Sequence, residues 1–207
     1  MLVIPAILED NSRDIENKVN LLKEDAKYFH IDIMDKTLTT ESTIRVSDIP
    51  IIENIQIELH MMVKKPSDYI KEITKAKPKK VILHSEINNF ETEIAKLKGP
   101  WKIYGAVDVN TEIDIVVPYL DKIAGILIMS VPIGKTGQKF HKEVLKKALY
   151  ISKYTNNIEI DGGVNLRNIS SCIRANIGEF AISSGIYKGE NPVKNLQLLK
   201  QKLFTRV

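Results

Sequence analysis

Eight short apolar runs recur along the chain, at Leu2–Leu8, Tyr28–Met34, Ile55–Val63, Lys80–His84, Ile103–Val109, Gly125–Val131, Ile158–Asp161 and Phe180–Ser184. Each is rich in Ile and Val and has the length of a buried parallel strand. Amphipathic stretches lie between them. Asp14–Ala26 places Ile15, Val19, Leu22 and Ala26 on one face with charges opposite, which predicts a helix. The spacing predicts further helices over Pro66–Ala76, Phe90–Leu97, Thr111–Leu120, Lys139–Tyr154, Leu166–Ala175 and Pro192–Leu203. Pro66 and Pro192 fall where a first helical turn accepts proline. The pattern is weakest after Met34, where Val46–Ile52 fills only part of the helix slot. Strand and helix signals that alternate without a linker predict an α/β fold. The chain has 207 residues. That allows roughly 26 per repeat, near the lower size limit of a (β/α)8 TIM barrel. One barrel domain over residues 1–207 is expected. A doubly wound open sheet is the structural rival, and it would place its site at a change of strand order.

Composition narrows the class. A chain that is 43% hydrophobic and 27% charged is not disordered throughout. Its net charge of +4 suits an anionic ligand and is too mild to indicate nucleic acid. The single cysteine, Cys172, cannot close an internal disulfide, so a reducing compartment is expected. No apolar run approaches the ~20 residues of a membrane span. The start Met1-Leu2-Val3-Ile4-Pro5 lacks the basic and apolar regions of a signal peptide. A soluble, cytoplasmic, globular protein is the expectation.

The polar residues inside the apolar runs carry the chemistry. His30 and Asp32 are two apart on one strand, so both face the same side. His60 and Asp161 lie near the C-terminal ends of their own runs, where a barrel keeps its active site. Taken singly, each is more often a hydrogen-bonded structural group. Together, two imidazoles and two carboxylates fit a zinc-type or ferrous site with room for a substrate oxygen. His84 ends a fourth run and reads better as a hydrogen-bonding neighbour than as a fifth ligand. His141 reads as a surface residue. Met34, Met62 and Met129 also fall near strand ends. Methionines there are usually core filler, but at one mouth they would form an apolar wall that helps keep a carboxylic acid protonated.

Two stretches could cradle phosphate. Asp161-Gly162-Gly163-Val164-Asn165 follows the seventh strand, and its glycines let backbone approach an anion closely. Ile182-Ser183-Ser184-Gly185 follows the eighth and adds hydroxyls and amides. Many barrels bind phosphate after these two strands, although ordinary turns have the same composition. Gly134-Lys135-Thr136 invites comparison with a P-loop, but Met129 stands where that pattern needs its first glycine.

At these residues the sequence resembles the ribulose-phosphate 3-epimerase family over nearly its whole length. Ile4-Pro5-Ala6-Ile7-Leu8 resembles the family's opening, and His30-Ile31-Asp32-Ile33-Met34-Asp35 its second-strand motif. Leu59-His60-Met61-Met62-Val63 and Leu83-His84-Ser85-Glu86 are similar to its third and fourth. Met129-Ser130-Val131 with Gly134 and Gly137-Gln138-Lys139-Phe140 resembles its sixth loop, and Asp161-Gly162-Gly163-Val164 with Ser184 its phosphate end. The resemblance implies a barrel that interconverts D-ribulose 5-phosphate and D-xylulose 5-phosphate. It implies one divalent metal ion on His30, Asp32, His60 and Asp161, commonly zinc or iron, with manganese or cobalt as alternatives. It also implies that Asp32 and Asp161 are the acid/base pair acting through a metal-stabilised enediolate. Contacts with substrate are implied for His60, Met34, Met62, Met129, Gly134, Lys135, Thr136, Gly137, Gly162, Gly163, Ser183 and Ser184. The partner expected is a small-molecule ketose phosphate, with neither nucleic acid nor membrane and with self-association left open.

The sequence also departs from the family. Ala6 replaces a substrate-contacting serine, Lys36–Glu41 replaces a Gly-His-Phe-Val-Pro-Asn-like segment, and Pro132–Gly137 replaces a lid that carries a phenylalanine. Ser183 stands where the family has a glycine. Altered loops keep two alternatives open, a hexulose-phosphate (allulose-6-phosphate-type) 3-epimerase and a sugar-phosphate-binding protein without turnover. A decarboxylase or aldolase would want a lysine where Asp32-Ile33-Met34 has methionine.

Overall fold

All eight apolar runs become parallel strands. The computed structural model describes residues 1–134 and 137–204. The strands are β1 (Leu2–Ile7), β2 (Tyr28–Met34), β3 (Gln56–Met62), β4 (Lys80–His84), β5 (Lys102–Val107), β6 (Gly125–Met129), β7 (Ile158–Asp161) and β8 (Glu179–Ile182). They pair in sequence order, and β8 returns to β1 to close the barrel. The predicted TIM barrel is therefore the observed fold, and the open-sheet rival is excluded. Closure also explains the composition of the strands. Each is covered by helices or loops outside and by side chains inside, so both of its faces are buried.

The helices are α1 (Ser12–Leu22), α2 (Ile70–Ala76), α3 (Phe90–Lys96), α4 (Val144–Ile151), α5 (Ile169–Arg174), α6 (Ser184–Tyr187) and α7 (Pro192–Phe204). Asn11 caps α1 by accepting from the Asp14 amide at 2.9 Å, and Ile15, Val19 and Leu22 are its buried face. The predicted Pro66–Ala76 helix opens with a 3-10 turn over Pro66–Tyr69.

Two predicted helices come out differently. Thr111–Leu120 forms only two 3-10 turns, Ile113–Ile115 and Val117–Tyr119. Pro118 sits in the last turn of that stretch, where it removes a helix donor and crowds the preceding turn. Lys139–Tyr154 yields a helix only from Val144 onward, because the preceding segment crosses the barrel mouth. There the His141 amide donates to the Ser130 carbonyl at 2.9 Å. Between β2 and β3 a 3-10 turn at Val46–Asp48 stands in the helix slot. No helix among the described residues is long and apolar enough to cross a membrane.

Candidate active site and metal centre

Parallel pairing brings the polar strand-end residues to one height inside the barrel. Asp32 on β2 is in register with His60 on β3, and Asp161 on β7 with Met129 on β6. His30 lies one inward position below Asp32, and both histidines are fully buried. His30 Nε2 stands 3.2 Å from Asp32 Oδ1, 3.3 Å from His60 Nδ1 and 3.9 Å from Asp161 Oδ2. His60 Nδ1 stands 3.0 Å from Asp32 Oδ1 and 3.6 Å from Asp161 Oδ2.

A tetrahedron with metal–ligand bonds of ~2.0–2.1 Å has edges of about 3.3–3.4 Å. The observed separations bracket that value, so the cluster could hold a divalent ion.

The hydrogen bonds behind the two rings aim their lone pairs at the same point. His30 Nδ1 donates to Glu58 Oε1 at 2.7 Å, which leaves Nε2 facing the cluster. Glu86 Oε2 accepts from His84 Nδ1 at 3.1 Å, so His84 Nε2 accepts from His60 Nε2 at 3.0 Å and His60 Nδ1 faces the cluster. Such partners fix the tautomer of a ligating histidine. His84 is thus the hydrogen-bonding neighbour that its position suggested. Glu58 and Glu86 were not singled out from the sequence. The signal was present, because Glu58 precedes His60 by two and so faces inward with it.

The two aspartates are shifted in opposite directions. Burial works to raise the Asp32 pKa, but the adjoining His30 and His60 outweigh it and hold the carboxyl well below the usual range. Asp161 is pushed up to about 7, first by burial and then by the charge of Asp32. Burial brings His60 down to about 4. For His30, burial is outweighed by hydrogen bonds to Asp32, Glu159 and Glu58, and its pKa is raised.

A cleft opens above the cluster. Asp32, Asp161, Met62 and Met129 line its floor, and Gly134, Gly137, Gly162, Gly163, Ser183 and Ser184 line its rim. Met34 is buried in register with Met62 and borders a neighbouring cavity instead. His30 and His60 lie beneath the cleft, and Ala6 is buried on β1 in register with His30. Lys135 and Thr136 lie outside the described residues.

Ser130, another residue not singled out from the sequence, braces the turn after β7. Its amide and hydroxyl donate to the Asp161 carbonyl at 2.8 and 3.1 Å. Gly163 has φ +62°, and a Cβ there would stand 2.9 Å from the Phe140 amide nitrogen. Gly163→Ala is therefore expected to cost about 1–3 kcal/mol in a denaturant titration, from left-handed backbone together with the crowding. An unchanged midpoint would show that this turn gives way freely.

The Ribulose-phosphate 3 epimerase family model matches residues 2–187. The ribulose-phosphate 3-epimerase of Schizosaccharomyces pombe is 25% identical over 213 residues, covering 97% of this chain and 93% of that protein. That of Buchnera aphidicola is 31% identical over 205 residues, covering 92% and 90%. Among solved structures, KGPDC from Streptococcus mutans in complex with D-R5P superposes with a TM-score of 0.74 at 10% identity, covering 97% of this chain and 96% of that one. The last likeness concerns the barrel alone. The match over nearly the whole chain places this protein in the ribulose-phosphate 3-epimerase family, a family of isomerases.

Proposed function

We propose that the protein is a metal-dependent epimerase that inverts C3 of D-ribulose 5-phosphate to give D-xylulose 5-phosphate. The observation that carries this reading is the pair Asp32 and Asp161. Both line the cleft, one held ionised and the other able to keep its proton near neutral pH. Inverting a carbon beside a ketone needs a proton taken from one face and another returned to the opposite face. Asp32 takes the C3 proton and Asp161 delivers its own. The two then stand with exchanged protonation, ready for the reverse reaction.

His30, Asp32, His60 and Asp161 would hold one divalent ion, zinc or iron. When bound, that ion would offset the negative charge that develops on the ketone and hydroxyl oxygens. Gly162, Gly163, Ser183 and Ser184 at the rim would receive the phosphate and so fix which carbon lies between the carboxylates. Met62 and Met129 exclude water from that carbon and help keep Asp161 protonated. The buried, unpaired Cys172 supports a cytoplasmic setting.

The test is proton NMR in deuterium oxide with the metallated protein and D-ribulose 5-phosphate. Appearance of D-xylulose 5-phosphate carrying deuterium at C3 is expected. Binding of the sugar without exchange or turnover would mark a binding protein. Turnover of a hexulose phosphate alone would move the substrate assignment.

A further inference from the structure

Beneath the four-residue cluster the barrel holds a second polar layer that the proposed chemistry does not use. Alternation along the strands places Glu58 below His60 on β3 and Glu159 below Asp161 on β7. Both glutamates are fully buried. Lys80 opens β4 in register with Glu58, and its side chain is buried as well. Its ammonium lies 2.8 Å from Glu58 Oε2, 2.7 Å from Glu159 Oε2 and 2.6 Å from Glu179 Oε2. It also sits 4.2 Å from the centre of the Tyr104 ring, on which the cation is favourably placed.

The remaining oxygens of Glu58 and Glu159 face His30. Glu58 Oε1 is 2.7 Å and Glu159 Oε1 3.4 Å from Nδ1 of that ring. Each glutamate therefore spans the gap between the ammonium below and the imidazole above. Glu179 reaches Lys80 from the N-terminal end of β8.

The donor atoms of His30, Glu58 and Glu159 also lie within 4.8 Å of one another, close enough to surround a cation. Lys80 already supplies positive charge to both carboxylates. A dication beside it would meet repulsion, so this layer is furnished with its cation by the chain itself.

We infer that Lys80 is a positioning residue for the metal site, clamping Glu58 and Glu159 so that they orient His30 and aim its Nε2 at the ion. This rests on the reading that His30, Asp32, His60 and Asp161 hold a divalent ion. Without the ammonium the second oxygens of the two glutamates lose the charge that holds them, and the acceptor of the His30 ring is less firmly placed. The sign of the effect separates this role from a coulombic one. Removing a nearby positive charge tightens a dication by electrostatics alone, whereas loss of orientation weakens it. Groups that orient metal-ligating histidines are worth roughly 10–100-fold in affinity.

The experiment measures zinc affinity by competition with a chromophoric chelator, on metal-stripped wild type, Lys80→Met and Glu179→Gln. Lys80→Met is expected to bind zinc roughly 10–100-fold more weakly. Glu179→Gln should stay close to wild type even where its melting temperature falls. Affinity in Lys80→Met equal to or tighter than wild type overturns the proposal. Should Lys80→Met fail to fold, the double variant Lys80→Met/Glu159→Gln replaces Lys80 and one of its two fully buried carboxylate partners by neutral groups. It should bind zinc at least roughly tenfold more weakly than Glu159→Gln alone, and equal affinities overturn the proposal. If wild type itself binds no zinc, the four-residue metal reading falls and the role of Lys80 with it. If wild type binds and the lysine variants match their parents, only the role of Lys80 falls.

Discussion

Asparagine at either Asp32 or Asp161 is expected to lower epimerisation at least ~100-fold, the usual contribution of a general acid or base. The substitution keeps size and an oxygen that could meet the ion, yet removes the capacity to carry a proton. β2 and β7 are not neighbours in the ring, so the two carboxyl groups reach the cleft from different sides. The variants should separate in solvent exchange. For a given epimer, the variant that lacks only the far-face acid still removes the C3 proton and trades it with deuterated solvent. The variant that lacks the near-face base does neither. With the other epimer the roles reverse. Exchange at C3, followed by NMR on both sugars with each metal-loaded variant, reads this directly. Near-wild-type epimerisation in either variant would falsify the assignment of the pair.

Chelation is expected to abolish activity, and zinc or ferrous iron to restore it. The same ions should bind less tightly in acid. Ligation needs an imidazole lone pair, and a carboxyl group ligates more tightly ionised than protonated. Asp161 keeps its proton until about pH 7, and His30 is raised as well. Each proton that must leave weakens binding by about tenfold for every pH unit below the pKa concerned. Zinc affinity should therefore climb steeply from about pH 5 to 7, and above that range the Asp161 contribution ends. His60, at about 4, adds nothing to this slope because its ring is already neutral. His60→Ala leaves three ligands and should lose more than the roughly 10–100-fold that follows loss of a group behind a ligand. Chelator competition across the pH range checks both statements. A flat profile, or full activity in a demonstrably metal-free sample, would remove the ion from the reaction.

Much of the fold is written in local pattern. The runs at Tyr28–Met34, Lys80–His84 and Ile158–Asp161 match their strands end to end, because every second residue, such as Phe29, Ile31 and Ile33 or Val81 and Leu83, is apolar and packs outward in the core. The helical segments were less legible. Pro118 interrupts the amphipathic stretch at Thr111–Leu120 near its end, and backbone pinned at His141 delays α4. A 3.6-residue period records which face is apolar. It does not record whether the backbone is free to close its hydrogen bonds.

The inward polar residues divide in the same way. His30 with Asp32 could be read from their spacing of two, because alternation along a strand is a local property. His60 and Asp161 could be placed at the same mouth, because parallel strands in a barrel share a direction. By itself, then, the sequence determined the strand count, the class of fold and the end at which the chemistry stands. Only the tertiary structure decided which atoms meet: His84 behind His60, Glu58 behind His30, and Lys80 clamped by glutamates from β3, β7 and β8. It also decided that the Asp32 pKa is lowered while that of Asp161 is raised to about 7. The contacts of Lys80 with Glu159 and Glu179 join strands that are not neighbours in the ring, across an interior whose width and stagger are set by closure of all eight. No spacing along the chain encodes them.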